Sequence, residues 1–473
     1  MKTRLIFLGL LSVVAFAQSL GTFTATGNLS TPRFFHTATL LADGRVLIAG
    51  GNTAGSIGSP PLSTNTAELY DPASGSFAPT GSMSTATHAG GILMADGRVF
   101  FASSSNCSSG PLAAIELYDP ASGSFNIVGT AAALTGAGAT LLNDGRVLLI
   151  GCAGNNVGTE IYDPVAGIST PFPNSLPDVP SAAILLADGR VLLQFVEDDA
   201  QIYDPVSGSF SSTGGLCCFD GPPQASLLLN RYVLFSGGND LGGNESSAEL
   251  FDPALNIFAY SKMSIARDGH TSTLLPDGTV LLAGGLPVAA GPNPATSTAE
   301  IYDLNAGFSF TGSLATGRAY HAAVLLNDGR VLITGGSTFS SHESFQGLSS
   351  AEIYTPANLV PAASLLSLSG DGTGQGAIQH ATTYQLVTSD NPAVAGEIVV
   401  IYCTGFVEGA VIPPQVSIGG RMAEVLWFGD TPGYPGLNQM NALVPAGVAS
   451  GSAVPVWMSY IGRPSNQVTV AVQ

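Results

Sequence analysis

Positive charge is scarce. Lys and Arg number 14 in 473 residues against 33 Asp and Glu, for a formal net charge of −19. Nucleic-acid affinity comes chiefly from Lys and Arg neutralising phosphates, so a phosphate-binding surface is excluded, as is docking on anionic lipid. Charged residues of both signs reach only 10%, well under the roughly one quarter usual in globular chains. Past the first twenty residues no apolar stretch is long and uninterrupted enough for a membrane helix. Only five cysteines are present, Cys107, Cys152, Cys217, Cys218 and Cys403. They form no C-x-x-C pair and no Cys/His zinc spacing, and an odd number leaves at least one thiol unpaired or bridging to a partner. No Ser/His/Asp triad or phosphate loop is present.

Turn formers and apolar residues are abundant: Gly 59, Pro 30 and 45% hydrophobic residues. That is material for a large core and many tight turns, and with few helix formers it predicts an all-β protein. Lys2 and Arg4 precede an apolar run from Leu5 to Phe16, and Ala15-Phe16-Ala17 fits a small-residue cleavage site. Residues 1–17 read as a removable secretory signal, too short to span a bilayer. The expected location is secreted, extracellular or periplasmic.

One phrase, Leu-Leu-Ala-Asp-Gly-Arg-Val-Leu and its variants, recurs with its Val at 46, 99, 147, 191, 233, 280 and 331, at spacings of 42 to 53 residues. A second, Ala-Glu-Leu-Tyr-Asp-Pro, follows each copy, with its aromatic at Tyr70, Tyr118, Tyr162, Tyr203, Phe251, Tyr302 and Tyr354. In the first unit the pattern predicts strands over Thr37 to Leu41 and Arg45 to Ala49 around an Asp43-Gly44 hairpin, Ala67 to Tyr70, and a fourth beginning at Phe77. Four short strands per unit, seven times repeated, form the pattern of a β-propeller. The seventh unit lacks a fourth strand. Gly21-Thr22-Phe23-Thr24-Ala25-Thr26-Gly27 matches Gly75-Ser76-Phe77-Ala78-Pro79-Thr80-Gly81, so the N-terminal segment is expected to supply it and close the ring. Hairpin Asp, turn Asp and third-strand Glu residues account for eighteen of the 33 acids, so most of the negative charge has a structural reason. No carboxylate pair stands out from these as acid and base.

The Asp-Gly-Arg-Val hairpins, the di-glycines at 50–51, 237–238, 284–285 and 335–336, and the Tyr-Asp-Pro turns resemble the Kelch-repeat family, within the galactose oxidase-type propeller superfamily. Gly151-Cys152 and Gln194-Phe195 depart from the di-glycine. The resemblance implies a seven-bladed Kelch-type β-propeller over residues 18–358. From about Val360 the repeats stop, and short apolar segments over Ile398 to Cys403, Gln415 to Ile418, Glu424 to Trp427, Gln439 to Val444, Val454 to Tyr460 and Val468 to Val472 predict a small β-sandwich over 359–473. The order Asn391-Pro392-Ala393, Gly396-Glu397, Thr404-Gly405, Ile418-Gly419-Gly420, Pro432-Gly433-Tyr434, Gln439-Met440-Asn441, Val444-Pro445 looks like a C-terminal domain family of unknown function common on exported acidobacterial proteins. That family is similar to immunoglobulin-like E-set folds, which implies extracellular display.

The galactose oxidase resemblance implies copper held by two Tyr and two His, one Tyr cross-linked to a Cys. Arg318-Ala319-Tyr320-His321 resembles its Tyr-His ligand segment. Phe34-Phe35 stands where the cross-linked Tyr belongs, no Cys adjoins it, and the only C-terminal His, His380, lies in a Gly-rich entry segment. An incomplete ligand set argues against the enzyme, so no cofactor is expected, with copper only under the oxidase alternative. A second pattern is a crescent: His36, His270 and His321 lie seven residues before their hairpin Asp and His88 eight, with Arg33, Arg267 and Arg318 three residues ahead of the first three. Its functional reading is a set of imidazoles at one channel mouth able to hold an anionic ligand or a metal. Its structural reading is Arg-x-x-His scaffolding with His bonding between blades. The loops between second and third strands, and the acidic run Glu197-Asp198-Asp199 as a Ca²⁺ candidate, complete the set. The sequence thus reads as a monomeric exported binding or scaffold protein. Its expected ligand is an extracellular carbohydrate or protein, with no nucleic acid and no membrane insertion; a copper-radical oxidase is the alternative.

Overall fold

A computed structural model describes residues 21–473 except 57–58, 87–89, 103–111, 155, 174–175, 196–199, 215–221, 239–245, 288–293 and 339–344. His88, Glu197-Asp198-Asp199, Cys107, Cys217 and Cys218 lie outside the described residues. Among the described residues every regular element is a β-strand, and none is a helix able to cross a membrane. Seven antiparallel sheets have four strands each. Sheet one is Thr37–Leu40, Val46–Ala49, Ala67–Asp71 and Ser76–Pro79. Sheets two to seven begin at Ile92–Leu93, Gly136–Leu141, Ala182–Leu185, Gln224–Leu227, Thr271–Leu274 and Ala322–Leu325. The outermost strand of sheet seven is Thr22–Ala25, paired antiparallel to Ala351–Thr355 with Phe23 opposite Tyr354, as Phe77 stands opposite Tyr70 in sheet one. Each first strand lies against those of two other sheets, and the series closes from sheet seven back to sheet one. All-β, four-stranded and radially packed, the arrangement is that of a β-propeller.

Packing explains why the second strands are continuously apolar. Val46 and Ile48 point into a core shared with Leu326, Leu332 and Ile353 of sheet seven, while Leu47 and Ala49 point into one shared with Val99, Phe101 and Tyr118 of sheet two. A strand buried on both faces has no solvent side on which to alternate. The third-strand tyrosines tie neighbours together: Tyr118 Oη meets Thr80 Oγ1 at 2.9 Å, Tyr354 meets Thr311 at 3.0 Å, and Tyr70 meets Thr26 of the N-terminal segment at 2.9 Å.

The hairpin expected at Asp43-Gly44 is present. Leu41 accepts from Gly44 N–H and donates to Arg45 O, and only Gly44 has positive φ, 86°. This is a three-residue loop whose last position is left-handed, a type I turn closed by a bulge. Asp43 is free to accept from the Arg45 backbone and guanidinium. The turn Asp71 likewise accepts from Ala73 N–H and Ser74 Oγ.

After residue 359 two five-stranded sheets enclose one apolar core, which includes Val399, Ile401, Met440, Val456 and Met458. The strands Ile398–Thr404, Gln415–Ile418, Asn438–Leu443, Gly451–Tyr460 and Val468–Val472 fall where expected. The segment expected to start at Glu424 is Val425–Asp430, preceded by a short Arg421–Ala423 hairpin partner. His380, expected in a Gly-rich entry segment, ends the strand Ile378–His380. These strands sit against the hairpin end of the propeller, where Trp457 Nε1 and Ser417 Oγ both donate to Ala95 O and Val411 N donates to Leu229 O. A cavity of about 430 Å³ remains between them and the first strands of sheets four to seven.

Candidate functional site at the Arg-x-x-His end

The opposite strand ends carry Arg33, Arg267 and Arg318, each 0% exposed. Every one pairs with the third-strand Glu of its own sheet: Arg33 with Glu68 and Arg267 with Glu300 at 3.0 Å, and Arg318 with Glu352 at 2.8 Å. Nη1 donates to the first carbonyl of the di-glycine (Gly50, Gly284, Gly335) and to the carbonyl of Thr66, Thr298 or Ser350. The arginine carbonyls reach the preceding sheet, accepting from Gly336 for Arg33, Gly238 for Arg267 and Gly285 for Arg318. One residue thus stitches a sheet to itself with its side chain and to its neighbour with its backbone.

The imidazoles complete the seam. His36 Nε2 meets Thr334 Oγ1 at 2.8 Å, His270 meets Ser236 at 3.0 Å, and His321 meets Thr271 at 3.0 Å, in each case in the preceding sheet. Each ring lies against a glycine of that sheet: a Cβ on Gly335 would stand 2.7 Å from His36 Cε1. Burial, reinforced by Arg33 and Arg318, holds His36 down at about 3, and burial with Arg267 does the same for His270. His321 is held well below its ordinary value by burial and Arg318. The rings are neutral and face inward.

This predicts an acid-sensitive ring. In the unfolded chain these histidines take protons near pH 6.5, so from there down to about 3 the unfolded state binds more protons. Stability is fully present above pH 6.5 and is lost as pH falls, by about 1.4 kcal/mol per pH unit for each shifted histidine. Urea midpoints between pH 7 and 4.5 should fall steeply, and His270→Asn should flatten the slope by about one histidine's share. A slope unchanged in that variant would contradict the assignment.

Beside the buried seam lies a second cluster that contains Tyr320, expected from the sequence as a site residue, and adds Phe35 and Asp268, which were not. The residue before each histidine, Phe35, Gly269 or Tyr320, is left-handed, with φ of 52°, 62° and 55°. Their backbones form a chain: Phe35 N–H donates to Tyr320 O at 2.9 Å and Tyr320 N–H to Gly269 O at 2.7 Å. Phe35 packs on Tyr320 with the rings tilted by 33° at a centroid separation of 4.5 Å, and it is 46% exposed. Tyr320 Oη donates to Asp268 Oδ2 at 3.0 Å. Burial raises the Asp268 carboxyl, and burial with Asp268 raises the Tyr320 phenol. Bulky residues at positive φ cost of order 1 kcal/mol each and collect at functional sites. A Phe or Tyr in the Gly269-equivalent position was the available signal, visible only once the three Arg-x-x-His segments are aligned.

The copper set implied by the galactose oxidase resemblance does not fit these residues. The Nε2 atoms of His36, His270 and His321 are engaged across sheet boundaries, and Tyr320 Oη is engaged with Asp268. His380 Nδ1 pairs with Glu397 and its Nε2 with Asn391 O. Among the described residues no group of three or more His, Cys, Asp or Glu could hold a metal ion. Cys403 is buried and unpaired, its thiol pushed up to about 12 by burial, and Cys152 is disulfide-bonded.

No family model matches the chain, and no curated protein matches it in sequence. Among solved structures it is similar to a fungal alcohol oxidase of the AA5 family in complex with copper, with TM-score 0.61, 16% identity and coverage of 96% of this chain and 100% of that one. It is also similar to a streptogramin B lyase, TM-score 0.51, 13% identity, covering 72% of this chain and 98% of that one. A catalytically inactive virginiamycin B lyase from Staphylococcus aureus with quinupristin gives TM-score 0.51 at 12% identity, covering 71% and 99%. At these identities the likeness is one of all-β propeller fold, and function must be argued from the site.

Proposed function

We propose that the chain is an exported binding protein: a seven-bladed Kelch-type propeller over 18–358, followed by an immunoglobulin-like display module over 359–473. Its ligand is a carbohydrate or cell-surface polymer held at the mouth by Phe35, Tyr320 and Asp268. The arginines and histidines of the crescent hold the ring together and set the backbone that presents this cluster. The carrying observation is an exposed Phe35 packed on a half-buried Tyr320, both kept in left-handed backbone beside a carboxyl. Aromatic faces stack on apolar ring faces while the phenol and carboxyl serve hydroxyls.

A glycan array probed with the mature protein tests this reading. Phe35→Gly removes the ring and relieves the backbone, so the fold should persist while affinity falls about tenfold. An array without hits, or binding indifferent to Phe35→Gly, would refute it. The second reading, a copper-radical oxidase, is favoured by one observation, the whole-length likeness to a fungal alcohol oxidase. Stoichiometric copper with peroxide release on alcohols or sugars would establish that reading and displace the first.

A further inference from the structure

One sheet of the C-terminal sandwich carries aromatic side chains on its outer face. Along Ile398–Thr404, Val399, Ile401 and Cys403 enter the core, so Tyr402 projects outward. Register sets Tyr402 opposite Gln439, and Trp427 opposite Asn441. Tyr402 Oη donates to Gln379 Oε1 at 3.0 Å, and Gln439 Nε2 donates to Asn441 Oδ1 at 3.3 Å. Each of these half-buried amides has one end fixed.

Two exposed tyrosines border these strands. Tyr434, 65% exposed, sits in the turn where Leu437 N donates to Tyr434 O. Tyr384, 70% exposed, is held at φ 56° by the turn in which its N–H donates to His380 O. His380 is itself pinned by Glu397 and Asn391. Tyr434 lies in the connection between Asp430 and Asn438, next to the Gln439 that faces Tyr402.

We propose that this face binds a neutral polysaccharide, stacking sugar rings on Trp427, Tyr402 and Tyr434 and bonding hydroxyls through the amides. The chemistry selects the occupant. In a chain of net charge −19, Tyr402, Gln439, Asn441, Trp427 and Tyr434 carry no charge, and the acidic side chains beside them, Glu424 and Asp430, are exposed, so the strip repels a polyanion. Aromatic planes beside amides that both donate and accept suit a ligand with apolar ring faces and many hydroxyls. The site is separate from the propeller mouth and does not depend on it.

The test uses the full mature protein, depleted from solution by insoluble cellulose, chitin or β-glucan, with a sulfated polysaccharide as control. Trp427 is the solvent-accessible one of the two tryptophans, since Trp457 is 9% exposed and bonded to Ala95; binding should therefore change tryptophan emission. Trp427→Ala and Tyr434→Ala should each weaken retention about tenfold, with melting temperature unchanged. Retention by none of the neutral polymers, retention by the sulfated one alone, or indifference to both variants overturns the proposal. So does loss of self-association or of a protein partner in Trp427→Ala without any polysaccharide bound.

Discussion

A chain lacking Gly21 to Leu29 should lose cooperative folding as a monomer. The segment supplies the outer strand of sheet seven along Thr22 to Ala25. It continues with Gly27 N–H donating to Gly75 O and Thr26 meeting Tyr70, and ends with Leu29, 3% exposed, in the core between sheets seven and one. Gly312 also donates to Gly21 O. Removing it uncovers one flank of the last sheet and unfastens both of its neighbours. Burying Leu29 alone is worth about 2–5 kcal/mol, and an opened ring edge is a template for strand pairing between copies. The total is on the order of the 5–15 kcal/mol that holds a domain folded. Thermal melting and light scattering would show a lost or broadened transition with aggregates or swapped oligomers. A monomer melting as the intact chain does would refute the closure.

The closure was legible because the repeats make an internal alignment: Gly21 to Gly27 copies a segment whose place in sheet one is already known. The same redundancy made the third-strand Glu residues readable as structural, and five of them accept hydrogen bonds from the chain just before the first strand, Glu160 from Ala132, Ala133 and Leu134 among them. Other features were not legible. Asp-Gly suits both a two-residue turn and the bulged three-residue loop, and the choice lies in backbone angles. Arg33 and His36 could be read as ligands or as scaffold, because the partner that decides for His36 is Thr334, 298 residues away. Phe35 stood out only as a missing tyrosine, and its role depends on a left-handed φ. In the C-terminal region Ser364–Leu365 and Ile378–His380 are too short to show a period.

Arg318→Met should cost about 3–5 kcal/mol, the penalty for leaving a buried carboxylate without its counter-charge. Burial lowers the Arg318 guanidinium from its ordinary value while Glu352 opposes the shift, so the pair persists because each charge stabilises the other. Glu352 also accepts from Ala315 N–H at 2.8 Å and Thr316 N–H at 3.4 Å. Neutralising it as Gln removes the unpaired charge but keeps only one of the two acceptor oxygens those donors use, so Arg318→Met combined with Glu352→Gln should recover part of the loss. It should not recover all, because the Gly335 and Ser350 carbonyls still lack the donor that Nη1 supplied. The contrast is Arg330, in the hairpin of the same sheet, whose pair with Asp328 is 32% and 44% exposed. Arg330→Ala should cost under about 1 kcal/mol, since water and salt screen that pair. Chemical denaturation of the four proteins would test the ordering. Equal costs for Arg318→Met and Arg330→Ala would mean that the buried seam does not hold the ring together, and the backbone presenting Phe35 and Tyr320 would need another support.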